Sequence, residues 1–214
     1  MSTRKAGRPQ QPTDVRELLL QHAKELFTVM DYDKVSTRLI AQKAQVDIGM
    51  IRYYFGSKGG LFETMLRETL APMKEQIDHL LADSNHQNLT EVMRTYYREM
   101  IKVPHFPRLI MQVMQMPPSE LQRQLIEKVI LDVTKPVQDM MFQKLIQRGV
   151  VRPDVDPQLC RVSYISLMVF PFIAPRALLA VHGIELNEEF LDRLIEHNIR
   201  LMEQGFLIVD WHPH

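Results

Sequence analysis

Apolar residues recur at three- and four-residue spacing along nearly the whole chain, and no two segments alternate in a way that would pair as strands. The stripe Val15, Leu18, Leu19, Ala23, Leu26, Phe27 and Met30 is the first example. Such a period places one apolar face along a helix, so the chain must fold as helix packed on helix. The expected class is all-α. Thr13 or Asp14 is suited to cap the first helix, and Ser36 the second, which runs to Ala44. A third spans Asp47 to Phe55, and Ser57 opens a long helix through Leu81. Further helical patterns cover 88–102, 106–115, 119–148, 156–182 and 187–207.

The 214 residues suffice for a sizeable core in one or two domains. The lone cysteine, Cys160, permits no intrachain disulfide. Residues 162–181 are the one apolar run long enough to suggest a membrane span, but Pro171, Pro175 and Arg176 fall inside it. The opening residues carry basic side chains without an apolar core, so no secretory signal is expected, and the expected compartment is the cytoplasm. The net charge is zero, yet it is unevenly spread. Residues 1–60 hold ten basic against six acidic residues, leaving sixteen basic and twenty acidic beyond. A basic first third on an acidic body suits a chain that offers one end to a polyanion, and a solvated face would look the same.

The stretch AQKAQVDIGMIRYYFGSKGGLF, residues 41–62, decides between them. Two short helices joined by Gln45-Val46-Asp47 make a helix-turn-helix, whose second helix can lie in the DNA major groove. Val46 and Ile51 are expected to pack inward, leaving Ile48, Gly49, Met50 and Arg52 outward. Gly49 would let the backbone approach DNA closely. Tyr53 and Tyr54 offer ring surface and hydroxyls for phosphate, and Lys58 adds charge at the next helix start.

With its neighbours, STRLIAQKAQVDIGMIRYYFGSKGGLF resembles the TetR-family signature: a Thr-containing helix start, an Ile-Ala pair, a turn, a run ending in Phe, then Ser-Lys and Leu-Phe. The resemblance covers about residues 13–70. It implies an N-terminal three-helix DNA-binding domain over 13–73, with its motif at about 36–55. A larger helical domain for effector binding and dimerisation would occupy 74–214. It further implies that Thr37 contacts phosphate, that Arg38 contacts base or phosphate, that Gly49, Met50 and Arg52 read bases, and that Tyr53, Tyr54 and Lys58 grip the backbone.

Three departures from the pattern stand out. Gln45 replaces the usual turn glycine and is expected to become left-handed, at a cost of about 1–2 kcal/mol. Gly59-Gly60 replaces an acidic first turn and should fray that helix start. Arg52 stands where an aromatic is common, so base preference does not carry over. The arm TRKAGRPQQP could lie in the minor groove or be an unattached tail.

Eight histidines are scattered without metal-ligand spacing, and no glycine-rich loop follows a strand. Glu188-Glu189 opens the last helix, where it complements the helix dipole. No enzyme, metal or cofactor is therefore expected. A helical adaptor would account for the acidic body but not for the residues after Ser36. The expected function is a sequence-specific regulator, a ligand-responsive repressor that binds a palindromic operator of double-stranded DNA as a dimer.

Fourteen methionines suggest an adaptable interior, and Met111, Met114, Met140, Met141 and Phe142 are the expected lining of a site for a small apolar or amphipathic effector. Segments 156–207 are apolar on more than one face, with Ile195 central, and are the expected homodimer surface. Pro72 should bend the long helix that begins at Ser57.

Overall fold

The computed structural model of the protein describes residues 12–82 and 86–208, so the N-terminal arm lies outside the described residues. They form α1 (Pro12–Phe27), a 3-10 turn (Tyr32–Lys34), α2 (Thr37–Ala44), α3 (Gly49–Phe55), α4 (Lys58–Ala82) and α5 (His86–Lys102). There follow α6 (Phe106–Met114), α7 (Leu121–Val129), a π-helical segment (Ile130–Thr134), α8 (Lys135–Gln147), α9 (Pro157–Ile173), α10 (Arg176–Val181) and α11 (Glu188–Gly205). The fold is all-α, and the sole β pairing among the described residues is the isolated bridge Val151–Leu207. No helix among them is long and apolar enough to cross a membrane.

Two compact units divide within α4, between Leu66 and Arg67. In the first, Phe27, Tyr32 and Phe62 form an aromatic cluster, Phe62 meeting the other two edge-on at 4.9 and 5.1 Å between centroids. Leu19, Ala23, Ile40, Ile51, Leu61 and Leu66 of the same unit are buried as well. Burying these apolar side chains supplies the main stabilisation of this unit, whose α2 and α3, of eight and seven residues, are too short to persist alone.

The second unit is built on α5, α9 and α11. Tyr164 is wholly buried, donates its hydroxyl to the Leu89 carbonyl at 3.0 Å, and meets Phe142 edge-on. Tyr97 donates to the Leu167 carbonyl at 2.7 Å, and Asn198 Nδ2 donates to the Tyr97 oxygen at 3.0 Å. These bonds meet the cost of placing polar groups in the interior. Arg108 donates to the carbonyls of Phe172 and Ala174, closing the C-terminal end of α9.

Several expected boundaries differ. The first helix starts at Pro12, so Thr13 and Asp14 lie inside its first turn rather than capping it. The segment 156–182 is two helices, because Ala174 precedes Pro175 and is extended, at φ −55° and ψ 138°. The segment 119–148 passes through a π turn at 130–134. Ile195 is 4% exposed and belongs to the core of its own subunit, as do Phe172, Leu191 and Ile199. Apolar residues that do face outward are Leu159, Val162 and Phe170 on α9, Leu178 and Val181 on α10, and Leu201 on α11.

Candidate nucleic-acid interface

The first unit builds its exposed helix from local chemistry. Ser36 Oγ accepts the Leu39 amide at 3.1 Å and starts α2. The helix stops at Gln45, which adopts φ 56° and ψ 38°, the left-handed conformation expected of a side chain standing in for glycine. Val46 returns its amide to the Ala41 carbonyl at 3.0 Å, completing the turn. Asp47 Oδ1 then accepts the Gly49 amide at 2.7 Å and launches α3. A Cβ on residue 49 would stand 2.8 Å from that oxygen, so a side chain here would press the Asp47 carboxylate aside.

On α3, Ile51 is 2% exposed and anchors the helix, with Val46 half-buried nearby in sequence. Gly49 and Arg52 are exposed, Met50 is half-buried, and Ile48, absent from the expected contact set, is exposed. Its signal in the sequence was its place at the leading end of the second helix. Tyr53 is 76% exposed and meets the half-buried Tyr54 edge-on at 4.8 Å. Arg52 and Arg38 are exposed and make no ion pair among the described residues, while Thr37 is half-buried. Unpaired guanidinium groups flank the turn, as contact with a polyanion requires.

The start of α4 departs from expectation. Ser57 Oγ accepts the Gly60 amide at 3.0 Å, so this end is capped rather than frayed. A Cβ on Gly60 would overlap the Phe55 carbonyl oxygen, which makes this glycine the point where α3 and α4 approach. Lys58 is half-buried with its ammonium 4.0 Å from the centre of the Tyr32 ring. Burial lowers its pKa from the ordinary lysine value, with the Asp33 charge opposing.

Lys43, in the last turn of α2, is held by Glu25 of α1 at 3.0 Å. Lys43 and His22 together hold the Glu25 carboxyl at about 2, well below its ordinary value.

The expected effector residues are not gathered at one described cavity. Phe142 is 1% exposed, under the Arg161 guanidinium and against Tyr164. Met111 is exposed and Met114 half-buried, whereas the side chains of Met140 and Met141 lie outside the described residues. A groove of about 320 Å³ is lined instead by Phe170, Leu179, Ile184, Phe190, Leu194 and Asn198 of α9, α10, α11 and the loop between the last two. A second, of about 300 Å³, lies between α5 and α11. Among the described residues no group of three or more His, Cys, Asp or Glu side chains could hold a metal.

Residues 19–65 match the family model of bacterial regulatory proteins of the tetR family, and residues 82–212 match the tetracyclin repressor-like C-terminal domain. The chain is 40% identical over 62 residues to the transcriptional regulator BetI of Vibrio campbellii, spanning 27% of this chain and 31% of BetI. It is 24% identical over 164 residues to YhgD, an uncharacterized transcriptional regulator of Bacillus subtilis, covering 73% and 81% of the two chains.

Among solved structures, NalD of Pseudomonas aeruginosa, the secondary repressor of the MexAB-OprM multidrug efflux pump, superposes with a TM-score of 0.70 at 20% identity. That match covers 94% of this chain and 100% of NalD. FadR of Bacillus subtilis, in complex with stearoyl-CoA, gives 0.67 at 17% identity over 88% and 98% of the chains. These two likenesses establish the shared fold. With both family models accounting for most of its length, the chain belongs to the TetR family and is a DNA-binding transcriptional regulator.

Proposed function

We propose that this regulator is a repressor that grips a palindromic operator as a homodimer and is released by a small apolar or amphipathic effector. The observation that carries the DNA side is the outward, unpaired Arg52 on a helix anchored from behind by Ile51. In this reading Gly49, Met50 and Arg52 face base edges, and Thr37, Arg38, Tyr53, Tyr54 and Lys58 hold the phosphates. Residues 13–73 serve DNA, 74–214 serve the effector and the partner subunit, and the protein acts in the cytoplasm.

Segment 156–207 supplies the dimer surface through its outward side chains, Leu159, Val162 and Phe170 above all, rather than through Ile195. A two-fold pairing buries such a stripe against its own copy and sets the recognition helices about one helical turn apart, ~34–36 Å. The effector class draws support from FadR, solved with stearoyl-CoA, and the repressor role from NalD, a secondary repressor of an efflux pump. Met111, Met114, Met140, Met141 and Phe142 remain the proposed adaptable lining. Pro72, inside α4, cannot return a hydrogen bond to the Glu68 carbonyl and is the proposed bend.

An effector moves the equilibrium only by preferring the released state; a shift from 1:99 to 99:1 takes about 10⁴-fold preference. The test is operator binding titrated with hydrophobic compounds that raise the melting temperature of the free protein. Release by one or more of them is expected. If every stabilising compound leaves operator affinity unchanged, the effector reading fails.

A further inference from the structure

We infer that Ile48 reads the C5-methyl group of a thymine in each operator half-site, next to the base pair met by Arg52. This rests on α3 entering the major groove, as proposed above. An isolated exposed isoleucine is ordinary on most surfaces. Here its neighbours make it informative. Over the leading five residues Gly49 has no side chain, Met50 is half-buried, Ile51 is 2% exposed, and Arg52 is exposed. Ile48, 48% exposed, is thus the most exposed apolar group that this end presents, and Arg52 is its one charged donor.

The backbone around Ile48 is fixed. The Asp47 carboxylate bonds the Gly49 amide across it at 2.7 Å, and Ile48 already has helical angles, φ −60° and ψ −29°. A β-branched side chain on a fixed backbone has few rotamers, so its methyl groups project in a defined direction. Recognition helices place their N-terminal residues against base edges.

The thymine methyl is the one bulky apolar mark in the major groove; the others are hydrogen-bond donors or acceptors, apart from the small C5–H of cytosine, which offers less apolar surface. Covering a donor or acceptor with an isoleucine leaves it unsatisfied, which is unfavourable, whereas covering a methyl removes apolar surface from water. Ile48 therefore selects thymine by both effects. Arg52 lies four positions further on, which puts the two on one helix face about 6 Å apart along the axis. That spans about one or two base-pair steps, so the half-site should hold a thymine one or two positions from the guanine taken by Arg52.

The experiment is selection from a random duplex library with the full-length wild type and with Ile48→Ala. Affinities are then measured on the selected duplex with that thymine replaced by deoxyuridine, which lacks only the methyl. The wild type should enrich a palindrome with a fixed thymine in each half. Ile48→Ala should keep the palindrome and lose preference at that thymine alone. Deoxyuridine should weaken wild-type binding by about threefold to fivefold per half-site, the effect of about one buried carbon, and leave Ile48→Ala unchanged. A thymine that survives Ile48→Ala overturns the inference alone, as does a wild type indifferent to deoxyuridine. If the wild type enriches no palindrome, the major-groove reading fails and this inference with it.

Discussion

Glu25 of α1 accepts the Lys43 ammonium of α2 at 3.0 Å, and His22 Nδ1 stands 3.0 Å from the same carboxylate oxygen. One carboxylate thus joins the support helix to the end of the helix that precedes the turn. The bond keeps the Glu25 carboxyl at about 2, against an ordinary value of 4.5. A depressed carboxyl contributes stability that is complete above the unfolded value and is lost as pH falls through the folded one. The window is therefore pH 4.5 down to about 2. Because the Glu25 side chain is 41% exposed, solvent screening limits the contribution to about 0.5–1 kcal/mol. Glu25→Gln should lose that amount at pH 7 and show a shallower loss on acidification. Urea unfolding at pH 7 and pH 3 checks it; a difference of equal size at both pH values would contradict it.

Gly60 and Gly205 should respond oppositely to alanine. A Cβ at Gly60 overlaps the Phe55 carbonyl, a backbone atom that cannot step aside cheaply, whereas one at Gly205 meets nothing within 4 Å. Gly60→Ala should destabilise the first unit by about 2–3 kcal/mol, the usual effect of overpacking. Gly205→Ala, at the end of α11, should stabilise by about 0.4–1 kcal/mol through the unfolded chain. Denaturation midpoints of the two variants read both signs. A neutral Gly60→Ala would mean that α3 and α4 can part without loss.

Phe170→Asp and Ile195→Asp separate surface from core. Phe170 is 56% exposed and Ile195 is 4% exposed. A carboxylate at Phe170 should leave the subunit folded and split the dimer. At Ile195 it would be buried without a partner and cost several kcal/mol of folding stability, about 3 or more. Sedimentation velocity with circular dichroism distinguishes these outcomes. A dimeric Phe170→Asp protein would move the interface off α9.

The helix-turn-helix was legible because its determinants are local. Ser36 and Asp47 cap by side chains two or three residues from the amides they accept, and Gln45 had to turn left-handed once both helices kept register. What was not legible depended on how the elements turn and pack once formed. The fit of Gly60 against Phe55 arises only when α4 folds back, so a glycine pair read as weakness. Ile195 and Phe170 are alike in pattern, since apolar residues on two faces do not say which face meets its own subunit. Pro171 remains inside α9 while Pro175 ends the run, a difference set by the extended backbone of Ala174 and by Arg108 holding the carbonyls beside it. Spacing likewise gave no warning of the π turn at 130–134.

The central claim is that α3 reads sequence through Arg52. Fluorescence anisotropy of wild type and Arg52→Ala, on the selected palindrome and on a scrambled duplex at one fixed salt concentration, tests it directly. Arg52 is exposed and free of ion pairs among the described residues, so its removal should leave the fold intact. The expected loss on the palindrome is about 1–3 kcal/mol per half-site, with affinity for the scrambled duplex nearly unchanged. Equal losses on both duplexes would contradict the claim and reduce Arg52 to one more phosphate contact.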